Sequence, residues 1–242
     1  MIPKTIHYCW FGGQPLPPKA ARCLESWKKH APDYTLVRHD ESNTDLDASP
    51  FLRYCYDHKK YAFLSDYLRL KVICDEGGLY FDTDVELLAS FDPLLSHRAF
   101  YSFETKAMVN TGQGFGAEKG HPTVKAMLDL YDALTPDENG DYPILSCPHY
   151  NTEALAAFGL VPNGERQLLK EDTLILPPDA MNPYDDPTGR LTLTENTLSV
   201  HWYAKSWLSR GTVLRARLTR PFHRLFGKDC FAFLKKGGKS RE

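Results

Sequence analysis

The chain has 242 residues, of which 42% are hydrophobic and 25% charged, with a formal net charge of −2. This is the balance of a soluble globular protein with one large domain or two small ones, and it excludes a disordered chain, a membrane span of roughly 18 apolar residues and the basic field of a nucleic-acid binder. The six cysteines (Cys9, Cys23, Cys55, Cys74, Cys147, Cys230) are scattered without a CxxC pair, which argues against a structural zinc site or a disulfide framework and for a reducing cytoplasm.

The amino terminus passes straight into a strand-like run over residues 4–10, without the apolar core of a signal peptide, and Gly12-Gly13 ends it. Pro17-Pro18 opens a helix to about Lys29, with Ala20, Ala21, Leu24 and Trp27 at helical spacing. A second strand is expected over 34–38. A helix follows over 61–75, with Phe63, Leu64, Tyr67, Leu68, Val72 and Ile73 as its apolar residues and Gly77-Gly78 as its stop. Residues 79–81 form a strand leading to Asp82-Thr83-Asp84. Further short strands are expected over 100–103 and 112–116, helices over 123–134 and 152–158, and late strands over 173–176 and 198–202. Strands alternating with helices predict an α/β fold with a mainly parallel central sheet. Composition turns basic near Ser209, which divides the chain into residues 1–208 and 209–242.

The chemistry concentrates first at Asp82 and Asp84. Strand alternation puts both on one face, where like charges repel unless something offsets them. A divalent cation such as Mg²⁺ or Mn²⁺ does so. A solvated turn is the plain alternative. Asp66 and Arg69 stand three apart on the preceding helix and share a face; they are either a surface ion pair or a donor and acceptor for sugar hydroxyls. Trp10 is either a core tryptophan or a base-stacking platform at the carboxyl edge of the sheet, next to glycines that admit a ligand. Asn110, in a small-residue turn over 110–116, offers an amide to a sugar hydroxyl. The run His201-Trp202-Tyr203-Ala204-Lys205-Ser206-Trp207 forms the second concentration. There His201 could complete a metal shell, and Lys205, Ser206 and Trp207 supply donors suited to a diphosphate.

Together, Ile6–Gly13, Ser65-Asp66-Tyr67-Leu68-Arg69, Gly77–Asp84, Asn110–Gly116 and His201–Trp207 resemble the DXD glycosyltransferases of family 32. These are bacterial capsular and polysaccharide-synthesis transferases, related to the yeast initiating mannosyltransferases and similar to the catalytic domains of large clostridial toxins. The ordered SDxxR and GGxYxDxD set is the specific part. The resemblance implies a GT-A type, Rossmann-like nucleotide-sugar-binding fold, a nucleotide-sugar donor, Mn²⁺ or Mg²⁺, and retention of anomeric configuration. It implies that Trp10 and Tyr80 flank the base and that Asp66 and Arg69 hold the donor sugar. Asp82 would lie near the ribose and a metal-bound water, and Asp84 would ligate the metal. Ser206 and Trp207 would close on the diphosphate. The expected catalytic set is Asp66, Arg69, Asp82 and Asp84, and His201 joins Asp82 and Asp84 as metal ligand by likeness to related GT-A folds. The chain departs from its relatives at Cys147-Pro148, where they often carry Gly-Pro.

The expected function is metal-dependent transfer from a UDP-sugar, or alternatively a GDP-sugar, to a glycan or lipid-linked acceptor in surface polysaccharide synthesis. Two rivals remain. Phe81-Asp82-Thr83-Asp84-Val85 also carries the DxD that opens the signature of haloacid-dehalogenase-like phosphatases, with Asp82 as nucleophile, although no GDxxxD follows. The other is a non-catalytic nucleotide-sugar-binding protein. Beyond Ser209, Val213, Leu214, Leu218, Phe222, Leu225 and Phe226 interleave with arginines at near-helical spacing, with a break expected at Pro221. Such a segment suits an anionic inner leaflet, or else packs on the core.

Overall fold

The computed structural model describes residues 1–204, 210–227 and 230. In chain order its elements are β1 (Thr5–Cys9), α1 (Pro18–His30), β2 (Thr35–His39), α2 (Pro50–Asp57), α3 (Tyr61–Glu76), β3 (Gly78–Tyr80), β4 (Val85–Leu87), β5 (Ala99–Ser102) and β6 (Phe115–Ala117). Then come α4 (Pro122–Asp132), α5 (Cys147–Ala156), β7 (Gln167–Leu169), β8 (Thr173–Leu176), α6 (Pro178–Met181), β9 (Tyr184–Asp185), β10 (Arg190–Leu191), β11 (Ser199–His201) and α7 (Arg210–Phe226).

Seven strands form one sheet in the order β2-β1-β3-β6-β5-β8-β7. Parallel pairing joins β1 to β2, β1 to β3 and β5 to β8, while β6 and β7 run against their neighbours, so five of the seven strands point the same way. The expected mainly parallel α/β sheet is therefore present, with two reversed strands. Strand alternation splits the β3 region between two cores. Leu79 and Phe81 pack with Trp27 of α1, Phe91 and Phe100, whereas Tyr80 packs on the other side with residues of α2, α3, α4 and α5. The second cluster contains Phe51, Tyr67, Tyr131 and Leu155.

The expected elements recur with shifted ends. The helix anticipated over 152–158 begins at Cys147, where Pro148 occupies the first turn and needs no N–H partner. The helix α2 and the strands β4, β7, β9 and β10 have no counterpart in the sequence expectation; four of them are only two or three residues long, too short for a periodic pattern to declare them. The break expected at Pro221 does not occur: α7 runs continuously through it. Arg220 on one side is bonded to Asp186, and Arg224 on the other to the Thr188 and Gly189 carbonyls, so the β9–β10 hairpin holds both flanks of the proline.

One local expectation needs correcting. Asp82 and Asp84 do not stand on a strand, because β3 ends at Tyr80 and β4 begins at Val85. The Val85 N–H donates to the Asp82 carbonyl at 3.0 Å and closes a turn. Turn geometry, not strand alternation, aims the two carboxylates at a common point. The β4 strand then pairs antiparallel with β11, placing His201 opposite Val85.

Candidate active site

The β4–β11 pairing brings His201 next to the aspartate turn. Ligand atoms of Asp82, Asp84 and His201 all lie within 4.8 Å of one another. His201 Nε2 stands 3.4 Å from Asp84 Oδ1, and its Nδ1 is buried without a hydrogen-bond partner. Two carboxylates and an imidazole form an O,O,N donor set that suits Mn²⁺ and tolerates Mg²⁺. The crowded carboxylates beside the imidazole fit a divalent ion.

The carboxylates differ in their surroundings. Burial raises the pKa of Asp82, Arg69 opposes the rise, and Asp84 adds to it. Burial also pushes on Asp84, but the His201 imidazole and the Ala204 N–H, which donates to Asp84 Oδ2 at 2.6 Å, hold it below its ordinary value. In return His201 is raised: burial disfavours its charged form, but Asp84, Asp82 and Glu104 together outweigh burial.

Arg69 is the strut behind this cluster. Its Nη2 lies 3.0 Å from Asp66 Oδ1 and 3.0 Å from Asp82 Oδ1, with Asp82 Oδ2 at 3.3 Å. Its guanidinium sits 5.0 Å from the centre of the Tyr80 ring. At 2% exposure Arg69 is buried, with its Nη2 committed to the two carboxylates. Asp66, also buried, is paired to the same nitrogen and faces inward. The reason is electrostatic: a buried carboxylate on α3 and a half-buried one on the adjoining turn need a cation between them.

Two further candidates are turned inward. Tyr80 is 1% exposed and donates its hydroxyl to Asp82 Oδ1 at 3.0 Å. Asn110 spends its amide internally: Oδ1 accepts from the Gly112 N–H at 2.7 Å and from the Cys147 thiol at 3.2 Å, and Nδ2 donates to Glu104 Oε1 at 3.1 Å. It shapes the loop over Asp82 instead of offering a bond to a sugar. Trp10 lies just past the end of β1, half-buried, with its indole N–H donating to the Gln14 carbonyl at 2.5 Å. It is therefore not a core tryptophan. Lys205, Ser206 and Trp207 lie outside the described residues.

Sequence reasoning missed Gly112, Glu104 and Tyr203. A Cβ at Gly112 would lie 2.6 Å from Asp82 Oδ2, so this backbone must be bare for the carboxylate to fit. Glu104 accepts from Tyr203 Oη at 2.9 Å as well as from Asn110. A lone glutamate in a polar stretch carries no periodic or motif signal, whereas Gly112 and Tyr203 lay inside runs already singled out.

Residues 17–101, spanning α1 to β5 and including Asp66, Arg69, Asp82 and Asp84, match the family model described as "Glycosyltransferase sugar-binding region containing DXD motif". Inositol phosphoceramide mannosyltransferase 3 of Schizosaccharomyces pombe is 30% identical over 126 residues, covering 50% of this chain and 35% of that protein. The chain thus spans about a third of the length of that curated relative. Among solved structures, PaToxG Glycosyltransferase superposes with a TM-score of 0.52 at 23% identity, over 64% of this chain and 68% of that one. The fold is of the GT-A type expected from the sequence.

Proposed function

We propose that this chain, which carries the DXD sugar-binding region of glycosyltransferases over residues 17–101, is a metal-dependent retaining glycosyltransferase that uses a nucleotide-sugar, with UDP-sugars the first choice. The observation that carries the reading is the convergence of Asp82, Asp84 and His201 within 4.8 Å on the carboxyl side of β3. Ligands of open α/β sheets bind at that edge.

Asp84, Asp82 and His201 would hold the ion. Bound there, it would offset the negative charge that builds on the nucleoside diphosphate as the bond to the sugar C1 breaks. The chain's own residues prepare that site. Arg69 and Tyr80 fix the Asp82 carboxylate, and the Ala204 N–H and His201 fix Asp84, so little reorganisation is left for the reaction. Trp10, half-buried at the edge of β1, is placed to stack on a base. In the sequence reading Lys205, Ser206 and Trp207 close on the diphosphate. No enzyme nucleophile is required, because in a front-face reaction the leaving phosphate can take the proton of the incoming hydroxyl. The phosphatase alternative is disfavoured because residues 17–101, which include Asp82 and Asp84, match a glycosyltransferase family model.

In this reading residues 1–208 form the transferase domain, and 209–242 form a basic segment that meets an anionic inner leaflet presenting a glycan or lipid-linked acceptor. The relative's mannosyltransferase name adds GDP-mannose-type donors to those worth testing.

The test is thermal stabilisation and slow donor hydrolysis across UDP- and GDP-sugars, with and without Mn²⁺. A metal-dependent shift with one nucleotide and release of one sugar are expected, and Asp84→Ala should lose both while keeping its fold. A metal-independent Asp84→Ala enzyme with undiminished turnover would overturn the assignment.

A further inference from the structure

The metal cluster is assembled from two chain segments far apart in sequence, and both are tied to one oxygen. On one side the Asp82 N–H donates to the Gly112 carbonyl at 3.2 Å, and the Gly112 N–H donates to Asn110 Oδ1 at 2.7 Å. Asn110 Nδ2 then donates to Glu104 Oε1 at 3.1 Å. On the other side Tyr203 Oη donates to the same Glu104 Oε1 at 2.9 Å. Trp202 and Tyr203 lie between His201 and Ala204, and Tyr203 has φ of 48°, a left-handed conformation that a bulky side chain rarely adopts.

That unusual backbone has a consequence at Asp84. The Trp202 N–H extends the β4–β11 pairing to the Asp84 carbonyl at 3.0 Å, and with residue 203 turned this way the Ala204 N–H reaches Asp84 Oδ2 at 2.6 Å. The Tyr203 ring lies 4.2 Å from the His201 ring, tilted by 35°, and so also limits the orientation of the imidazole. A left-handed tyrosine persists only where its surroundings over-determine it. The hydroxyl bond to Glu104 constrains its side chain, together with the ring contact on His201.

The geometry points to Glu104 and Tyr203 as positioning residues for the divalent-ion site: Glu104 Oε1 clamps the Asp82 loop to the His201–Ala204 segment, so that the two carboxylates and the imidazole meet at ion-binding distance. Neither residue supplies a ligand atom. The inference rests on the proposed metal reading and adds the requirement that ion affinity depends on a hydrogen bond outside the ligand set. Outer partners of metal ligands typically change affinity about 10- to 100-fold when removed.

The test is Mn²⁺ titration of the full chain, followed by the EPR signal of the free ion, on wild type, Tyr203→Phe, Glu104→Ala, Glu104→Gln and the Tyr203→Phe/Glu104→Ala pair. Tyr203→Phe keeps the ring and removes only the donor, so it tests the bond even where Glu104→Ala unfolds. Tyr203→Phe and Glu104→Ala should each weaken Mn²⁺ binding about 10-fold, and the pair should be no weaker than either alone. Glu104→Gln, which keeps an acceptor oxygen, should stay near wild type. Wild-type Mn²⁺ affinity in Tyr203→Phe, with or without a lowered melting temperature, would overturn the clamp while leaving the metal reading intact. A wild-type chain that binds no Mn²⁺ would overturn both.

Discussion

Arg69 holds two carboxylates, buried Asp66 and half-buried Asp82, with one guanidinium nitrogen, and that sharing has a measurable consequence at Asp66. Burial pushes the Asp66 carboxyl from its ordinary 3.8 to about 6, with Arg69 opposing the rise and Asp82 adding to it. One positive charge does not fully offset two negative ones. Between those two pH values the folded chain therefore binds more protons than the unfolded one, and this group's contribution to stability falls as pH rises from about 4 to about 6. Melting curves of the metal-free wild type and of Asp66→Asn, taken across that interval, should show the wild type losing ground to the variant as pH increases. A difference that stays constant with pH would show that Asp66 titrates normally. At this scale the spacing of Asp66 and Arg69 was legible in the sequence, but their partner was not. Helical periodicity says which residues share a face, and it does not say which strand that face meets.

At the scale of elements, the aspartate turn is held from behind by α1. Trp27, fully buried, donates its indole N–H to the Val85 carbonyl at 2.7 Å, one residue after Asp84. Ser26 adds a second tie, its hydroxyl accepting from the Leu87 N–H at 2.9 Å. The turn therefore depends on a helix more than fifty residues upstream. Trp27→Phe preserves most of the aromatic packing against Tyr8 and Phe81 but leaves the Val85 carbonyl unpaired. It should cost about 1–3 kcal/mol, read as a lower denaturation midpoint in urea at unchanged slope. No loss of stability would mean that another donor, or water, replaces the indole. The apolar spacing of α1 marked Trp27 as inward-facing. Its role as a hydrogen-bond donor to the aspartate turn follows only from the packing of α1 on β4.

For the whole molecule, the open question is what the basic end of the chain meets. Among the described residues no helix is long and apolar enough to cross a membrane. The helix α7 is fastened to the β9–β10 hairpin through Arg220 and Arg224, and Arg220 lies 5.7 Å from the Tyr184 ring, which in turn lies 5.2 Å from Trp202 beside His201. Its outer side exposes Leu218 and Leu225, at 65% and 76%. If that side meets an anionic leaflet, the full-length chain should co-sediment with vesicles containing phosphatidylserine, and the double variant Leu218→Ser/Leu225→Ser should release it. Equal sedimentation of the two would remove the membrane from the proposal. The sequence by itself determined the α/β alternation, the paired aspartates and the candidate histidine, because periodicity, turn residues and like-charge spacing are local properties. Only the tertiary structure decided that Tyr80, Asn110 and Arg69 look inward, and that Glu104 and Tyr203 join the site. Burial and hydrogen-bond partners are set by segments that meet across the fold, and no local pattern encodes those meetings.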